Sequence, residues 1–301
     1  MKETIGQKLQ KLNIKAKFQE PLSKYTTLRI GGPAEYYIEV RTVDQFRETM
    51  EIAKENNVSV FILGWGSNLL VADEVFEGFV VRLKGDFEKM VFEDSVDECI
   101  VTAGAGVRLP FLLNRSINDG YSGFEPLAGI PGTVGGALVI NAGGKWGTIS
   151  DCVIDVKVSD FSGDIKVLRK KDITFGYRTS SLEGLIMLEA KFRINKSSKD
   201  KVLKKVTGYL KKRAETQPIG TYNAGSIFKN PGKKSAAKLI DECGLKGLKI
   251  GGVQVSEKHA NFIVNNGKGT ADDVHKLISE IKNKVKEKFG ISLELEIKLI
   301  K

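Results

Sequence analysis

GFEPLAGIPGTVGGALVINAGGKWG, residues 123–147, is the stretch whose reading decides the fold. It holds eight glycines in twenty-five residues, and no charge lies between Pro126 and Gly144. Glycine is favoured where backbone takes positive φ or approaches a ligand closely. Successive free N–H groups in such turns form a concavity that attracts anions. Pro131 stiffens the approach by fixing φ. One reading is therefore a backbone cradle for a large cofactor carrying a pyrophosphate. A second is a buried, glycine-kinked hairpin with no ligand. A third, a membrane span, is a poor fit, because two prolines, six glycines and Asn141 interrupt the uncharged run.

The 301 residues suffice for a large core and two or three subdomains. With 41% hydrophobic and 28% charged residues the chain reads as soluble and globular. MKETIGQKLQKLN has no apolar run, so no signal peptide is expected and a cytoplasmic location is. Cys99, Cys152 and Cys243 are far apart and odd in number, which suits buried thiols in a reducing compartment. With His259 and His275 the only histidines, no zinc site of the HExxH kind is available and no metal is expected. The formal charge of +10 favours anionic partners such as nucleotides. It also permits a nucleic-acid binder, but no such module is present and aromatics do not interleave with the basic runs.

Outward from the central stretch, the chain reads as mixed α+β. A short helix is expected over 1–13. Thr42 and Gln45 form a capping-box pattern that predicts a helix with Val43, Phe46, Met50 and Ala53 inward. A strand over 58–63 runs into Gly64-Trp-Gly-Ser-Asn-Leu-Leu70, a second phosphate candidate. Leu69 stands where GxGxxG needs glycine, so this is not the Rossmann fingerprint. Strands are expected at 79–83, 89–92, 98–103, 153–159, 165–169 and 185–194, with a helix at 109–118. The polar NKSSK, 195–199, marks a plausible boundary. A basic helix over 201–216 and a short helix over 236–243 follow. A capped helix then starts at Thr270 and ends at Gly290. A last strand over 291–300 is expected to turn Leu293, Leu295, Ile297 and Leu299 to one side.

Several blocks together resemble the UDP-N-acetylenolpyruvoylglucosamine reductase (MurB) family. They are YTTLRIGG (25–32), LGWGSNLLV (63–71), GIPGTVGGALVINAGG (129–144), GYRTS (176–180), NAGSIFKNP (223–231), GLKGLKIGGVQVSEKHANFIVN (244–265) and LELEIKLI (293–300). The resemblance implies a flavoprotein of peptidoglycan synthesis that reduces the enolpyruvyl ether of UDP-N-acetylglucosamine to the lactyl ether. NADPH reduces a non-covalent FAD. Hydride then passes to the enolpyruvyl C3, and C2 is protonated. The implied fold is a two-lobed FAD-binding domain of the PCMH or vanillyl-alcohol-oxidase type over 30–195, after a lead-in of 1–29. A smaller α+β substrate-binding domain follows over 200–301, its last strand returning to the active site. A monomer is expected, with no membrane or nucleic-acid partner.

The same resemblance implies the site. FAD is to be held by Gly64, Gly66, Ser67, Asn68 and Leu69, and by Gly129, Gly132, Thr133, Gly135, Gly136, Asn141 and Ala142. Ser226 matches the proton donor to C2, and Arg178 and Glu296 match the pair at the substrate carboxylate. Tyr177, Lys229, Asn230 and His259 fall where the family contacts substrate. The chemistry suits these types, because hydride addition builds charge on the carboxylate and a fixed arginine stabilises it. A serine is a poor acid in water and needs neighbours that support its alkoxide. Lys145 and Trp146 depart from the family pattern, and Leu295 stands where the family more often has proline. The chain looks like the shorter type, without room for a tyrosine-bearing insertion after Ser180. Another FAD-dependent oxidoreductase of the same fold, acting on an alcohol or lactone, is the alternative.

Overall fold

The computed structural model describes residues 4–301. The chain divides into two compact units. The first comprises 4–18, 36–65 and 77–211, and the second 19–35, 66–76 and 212–301. The division falls inside the helix Lys199–Thr216, between Lys211 and Lys212, and not at the polar link 195–199. Residues 30–35 and 66–76, read from sequence as part of the FAD-binding domain, group with the second unit.

The first unit is built on two sheets. One has the strand order Lys15–Pro21, Pro33–Val40, Phe76–Leu83, Val60–Ile62, the last pair parallel. Against it the helix Val43–Glu55 buries Phe46, Met50, Ile52 and Ala53. Its start is as expected: the Thr42 hydroxyl accepts from the Gln45 amide. The return bond from Gln45 goes to the Arg41 amide instead of Thr42.

The other sheet is antiparallel, in the order Ile165–Arg169, Val153–Ser159, Ile186–Lys196, Glu98–Gly104, Met90–Asp94. The pair Tyr121–Ser122 adds to the end of its central strand. From Leu188 the strand Ile186–Lys196 alternates, with Leu188, Ala190, Phe192 and Ile194 buried, while at its start both Ile186 and Met187 are buried. The helices Leu109–Asn118 and Val134–Val139 contribute Leu109, Leu112, Val134 and Leu138 to the same core. At the N-terminus the helix is Ile5–Lys11, capped by Thr4; residues 1–3 of the expected helix lie outside the described residues.

The second unit has an antiparallel sheet ordered Tyr222–Ser226, Phe262–Asn265, Val253–Val255, Lys249–Ile250. The helix Ala271–Phe289 buries Val274, Leu277, Ile278, Ile281 and Val285, the spacing of one helical stripe. Thr270 and Asp273 close the capping box, and Gly290 ends the helix in the left-handed region at φ 67°. Asp73 braces the same start, accepting from the amides of Ala271 and Asp272.

The last strand is shorter than its sequence suggests. Only Lys298–Ile300 pairs, parallel, with Leu69–Val71. Upstream, 294–296 is held by single bonds to 227–229, with one isolated bridge at Phe228 and Leu295. Leu293 and Ile297 are buried as expected, but Leu299 is exposed. Among the described residues no helix is long and apolar enough to cross a membrane.

Candidate functional site

The central glycine-rich stretch lies in the first unit. Its middle is the short helix Val134–Val139, and its end is the tight hairpin Gly143–Gly144 with Gly147–Thr148. The helix start is already engaged by protein. Val134 N–H donates to the Val107 carbonyl, Gly135 N–H to the Ala105 carbonyl, and Gly136 N–H to the Thr133 hydroxyl. The row of free N–H groups expected there is therefore corrected, because strand-end carbonyls and the N-cap take those donors.

What the glycines do provide is close packing beside a cavity. A Cβ on Gly135 would lie 3.0 Å from the Ala105 Cβ and 3.2 Å from that of Met187. A Cβ on Gly64 would lie 2.8 Å from the Thr133 hydroxyl. Gly129 has φ 73°, in the region glycine tolerates. A cavity of about 220 Å³ opens here. Gly64, Thr133, Gly135 and Gly136 line it, with Ile62, Leu63, Val139, Leu185 and Met187 as apolar wall. Arg82, Glu88 and Arg108 also line it. Sequence reasoning missed these three, since no motif marks them. The Arg108 guanidinium lies 4.9 Å from the Trp65 ring and 5.7 Å from that of Phe111. Trp65 is thus half-buried under an arginine.

Arg178 sits in the two-residue turn between Phe175–Gly176 and Thr179–Ser180, at φ 58°. A left-handed non-glycine residue costs on the order of 1 kcal/mol and persists where its surroundings enforce it. Here they do. Arg178 Nη1 donates to the Gly143 carbonyl at 2.9 Å, and Asn141 Nδ2 donates to the Gly176 carbonyl at 3.1 Å. The Ser180 hydroxyl meets the Leu138 and Val139 carbonyls at the helix end. Tyr177 is exposed, its ring 5.5 Å from the Arg178 guanidinium. Ala142 is buried and donates to the Ala137 carbonyl. Gly132 accepts from the Leu109 amide. Trp146, at the hairpin tip, stacks on Tyr209 at 4.2 Å and 9°.

The stretch also holds a buried acid. Glu125 accepts from the Ser122 hydroxyl and the Gly123 amide, both at 2.6 Å. Burial pushes its carboxyl up, but those bonds and the Lys205 ammonium prevail and hold it below the usual value.

In the second unit Ser226 ends a strand and is half-buried, paired to Phe262 after a register shift. Glu296 donates its amide to the Ile227 carbonyl at 2.8 Å. Asn68 Nδ2 donates to the Glu296 carbonyl, and Lys298 N–H donates to the Asn68 carbonyl. Gly66 accepts from the Thr27 amide, and Leu69 pairs with Lys298. Ser67 is half-buried between Gly66 and Asn68. Lys229 donates its amide to the Glu294 carbonyl, with Nζ 3.8 Å from the Glu294 carboxylate. Asn230 is exposed and its Oδ1 accepts from the Ala236 amide, a helix-start contact. His259 is edge-on to Phe262 at 4.8 Å, and its Nδ1 accepts from the Asn261 amide. Burial lowers the pKa of His259 below 6.5.

Residues 34–169 match the model of an FAD binding domain. Residues 217–300 match the C-terminal domain of UDP-N-acetylenolpyruvoylglucosamine reductase. The reductase of Lachnoclostridium phytofermentans is 37% identical over 283 residues, covering 93% of this chain and 91% of that protein. One of Symbiobacterium thermophilum is 40% identical over 282 residues, covering 93% and 90%. The crystal structure of the enzyme from Thermus caldophilus is similar at a TM-score of 0.82 and 36% identity, covering 96% of this chain and 99% of that one.

The residues of the first unit fit the flavin cofactor these matches imply. Asn141 Oδ1 is buried without a hydrogen-bond partner, an acceptor suited to a donor on a bound group. Gly135 and Gly136 both line the cavity, and at Gly136 an added Cβ would have only the Thr133 hydroxyl within 4 Å. With identity of this level running through both units, the chain belongs to the UDP-N-acetylenolpyruvoylglucosamine reductase family.

Proposed function

We propose that this chain reduces UDP-N-acetylglucosamine enolpyruvate to UDP-N-acetylmuramate with NADPH, in peptidoglycan synthesis, using Arg178, Ser226 and Glu296. The observation that carries this reading is that 37–40% identity to named reductases spans 93% of the chain. The match over 217–300 also argues against an alcohol or lactone oxidase on the same FAD fold. FAD held in the first unit would supply the two-electron chemistry that links NADPH to the enolpyruvyl C3.

The chain's own groups do the rest. Addition at C3 places negative charge on C2 and its carboxylate. Arg178 carries a permanent charge and a planar set of donors suited to a carboxylate. One of those donors is spent on the Gly143 carbonyl, which fixes the guanidinium before substrate arrives. A charge already oriented needs no reorganisation as the anion forms. Ser226 gives C2 its proton from a rigid strand end. Glu296 acts at the same carboxylate, and its backbone is bonded beside Ser226 at Ile227. Tyr177, Lys229 and His259 serve substrate binding. For Asn230 its bond to Ala236 supports a bracing part in that loop. Gly64, Gly136 and Asn141 are the residues of the first unit best placed to hold the cofactor.

The enzyme acts as a cytoplasmic monomer in this reading. The three free thiols Cys99, Cys152 and Cys243 support a reducing compartment.

Anaerobic spectroscopy tests the assignment. The yellow protein is expected to bleach with NADPH and to regain colour when the enolpyruvyl sugar nucleotide is added. Bleaching without recovery would remove the substrate assignment. Ser226→Ala is expected to bleach normally and to lose turnover by about 10²-fold or more. Wild-type turnover in that variant would remove the proton-donor role.

A further inference from the structure

Asn261 is a buried polar residue, 4% exposed, outside every role so far assigned. A buried amide is costly unless each of its groups is bonded. All of them are, and the partners lie together. Its Oδ1 accepts from the Phe228 amide at 3.0 Å, and its Nδ2 donates to the Phe228 carbonyl at 2.8 Å. Its own carbonyl accepts from the Ile227 amide at 2.9 Å. Its amide donates to His259 Nδ1 at 3.3 Å.

The side chain thus binds both polar groups of one peptide residue, as a neighbouring strand would. The place where it does so is informative. The ladder between Tyr222–Ser226 and Phe262–Asn265 shifts register after Asn223 and ends at the pair Ser226 and Phe262. Beyond Ser226 the segment is held on one side by single bonds to 294–296, and on the other Asn261 continues the pairing, first with its own carbonyl and then with its side chain. On the other side of Ser226 a second asparagine acts. Asn223 Oδ1 accepts from the Gly225 amide at 2.9 Å, and Gly225 itself takes φ 78°. The Asn223 carbonyl in turn accepts from the Thr27 hydroxyl at 2.7 Å. Ser226 is therefore the residue between two side-chain braces. The Phe228 ring, 1% exposed, anchors the downstream brace in the core.

We propose that Asn261 is a positioning residue for Ser226, fixing where its hydroxyl delivers a proton. This rests on the proton-donor reading of Ser226 given above. A proton donor must sit within hydrogen-bond reach of its acceptor, and a misplacement near 1 Å costs up to about 10²-fold in rate. Loss of the Asn261 side chain removes two of the bonds that fix the backbone two residues from that hydroxyl and leaves those of Ile227 and Lys229 in place.

Four FAD-loaded full-length variants test this: Asn261→Ala, Asn261→Asp, Ser226→Ala and the double variant Ser226→Ala/Asn261→Ala. For each, bleaching by NADPH, recovery of colour on adding the enolpyruvyl sugar nucleotide, and Tm are measured. Asn261→Ala is expected to bleach within about 2-fold of wild type and to recover colour about 10-fold more slowly or worse. The double variant is expected to recover no more slowly than Ser226→Ala alone, because Asn261 acts through Ser226. Asn261→Asp keeps the acceptor for the Phe228 amide and the side-chain volume, so it is expected to fall between. It also serves if the alanine variant does not fold. Wild-type recovery in Asn261→Ala beside a slow Ser226→Ala overturns the positioning role alone. A double variant slowed by both factors multiplied overturns it as well, since that marks a general structural part. Wild-type recovery in Ser226→Ala removes the proton-donor reading and the positioning role with it.

Discussion

Glu296 donates its backbone N–H to the carbonyl of Ile227 at 2.8 Å, so the carboxylate-bearing strand end is bonded to the residue that follows Ser226. That contact uses the main chain, so an isosteric change of the side chain keeps it. Glu296→Gln is therefore expected to keep Tm within about 2 °C of wild type while turnover falls by about 10-fold or more. Steady-state turnover beside a thermal melt checks it. A large fall in Tm with proportionate loss of activity would make Glu296 a structural residue.

Gly135 and Gly136 are adjacent and should respond differently. A side chain on Gly135 meets Ala105 and Met187, so Gly135→Val overpacks the core and should cost about 1–3 kcal/mol of stability. A side chain on Gly136 meets nothing closer than the Thr133 hydroxyl at 3.6 Å and projects where the cavity lies. Gly136→Val should leave the apo-protein Tm nearly unchanged and weaken FAD by about 10-fold or more. Flavin titration with a melt of the apo-protein separates the two. Equal effects on both quantities in both variants would refute the distinction.

Gly66 has φ 66°, and an added Cβ would lie within van der Waals exclusion of the Tyr25 carbonyl. Strain and clash act together at this position. Gly66→Ala is expected to destabilise the protein by about 2 kcal/mol or more, read as a lower denaturation midpoint. An unchanged midpoint would show that the 25–27 segment yields easily.

Burial lowers the His259 pKa below the 6.5 of a free imidazole. The folded state therefore binds a proton less readily than the unfolded chain. The stability this contributes is fully present above pH 6.5 and is lost as pH falls from there toward the folded pKa. Protonation also converts Nδ1, which accepts from the Asn261 amide, into a donor facing a donor. Between pH 7.5 and 5.5 the wild-type Tm should drop more than that of His259→Gln. Parallel curves would remove His259 from the acid response.

Much of this was legible where the signal is local. The Thr270 and Asp273 box, the Gly290 stop and the Ile165–Arg169 hairpin partner follow from short-range patterns, and all are present. Motif blocks located the Arg178 turn and the Ser226 strand end. What escaped depends on residues far apart in the chain. The strand expected over 291–300 shrank because only three of its residues find Leu69–Val71. Arg82 and Glu88 reach the cavity from a strand and a turn that carry no motif. The amides of 134–136 read as free donors because nothing local reveals that Val107 and Ala105 take two of them. Nothing local marks the part Asn261 plays, since its partners lie at 227 and 228.

The parallel pair of Leu69–Val71 with Lys298–Ile300 has a consequence for biosynthesis. A ribosome adds roughly 5–20 residues each second, so the earlier strand waits about 10 to 50 seconds for a partner some 230 residues downstream. During that interval its apolar residues Leu69, Leu70 and Val71 are an unpaired edge on a nascent chain. The second unit cannot be completed in the order it is translated, and its closure waits until 298–300 have been made. Losing Lys298–Ile300 would leave that edge open permanently.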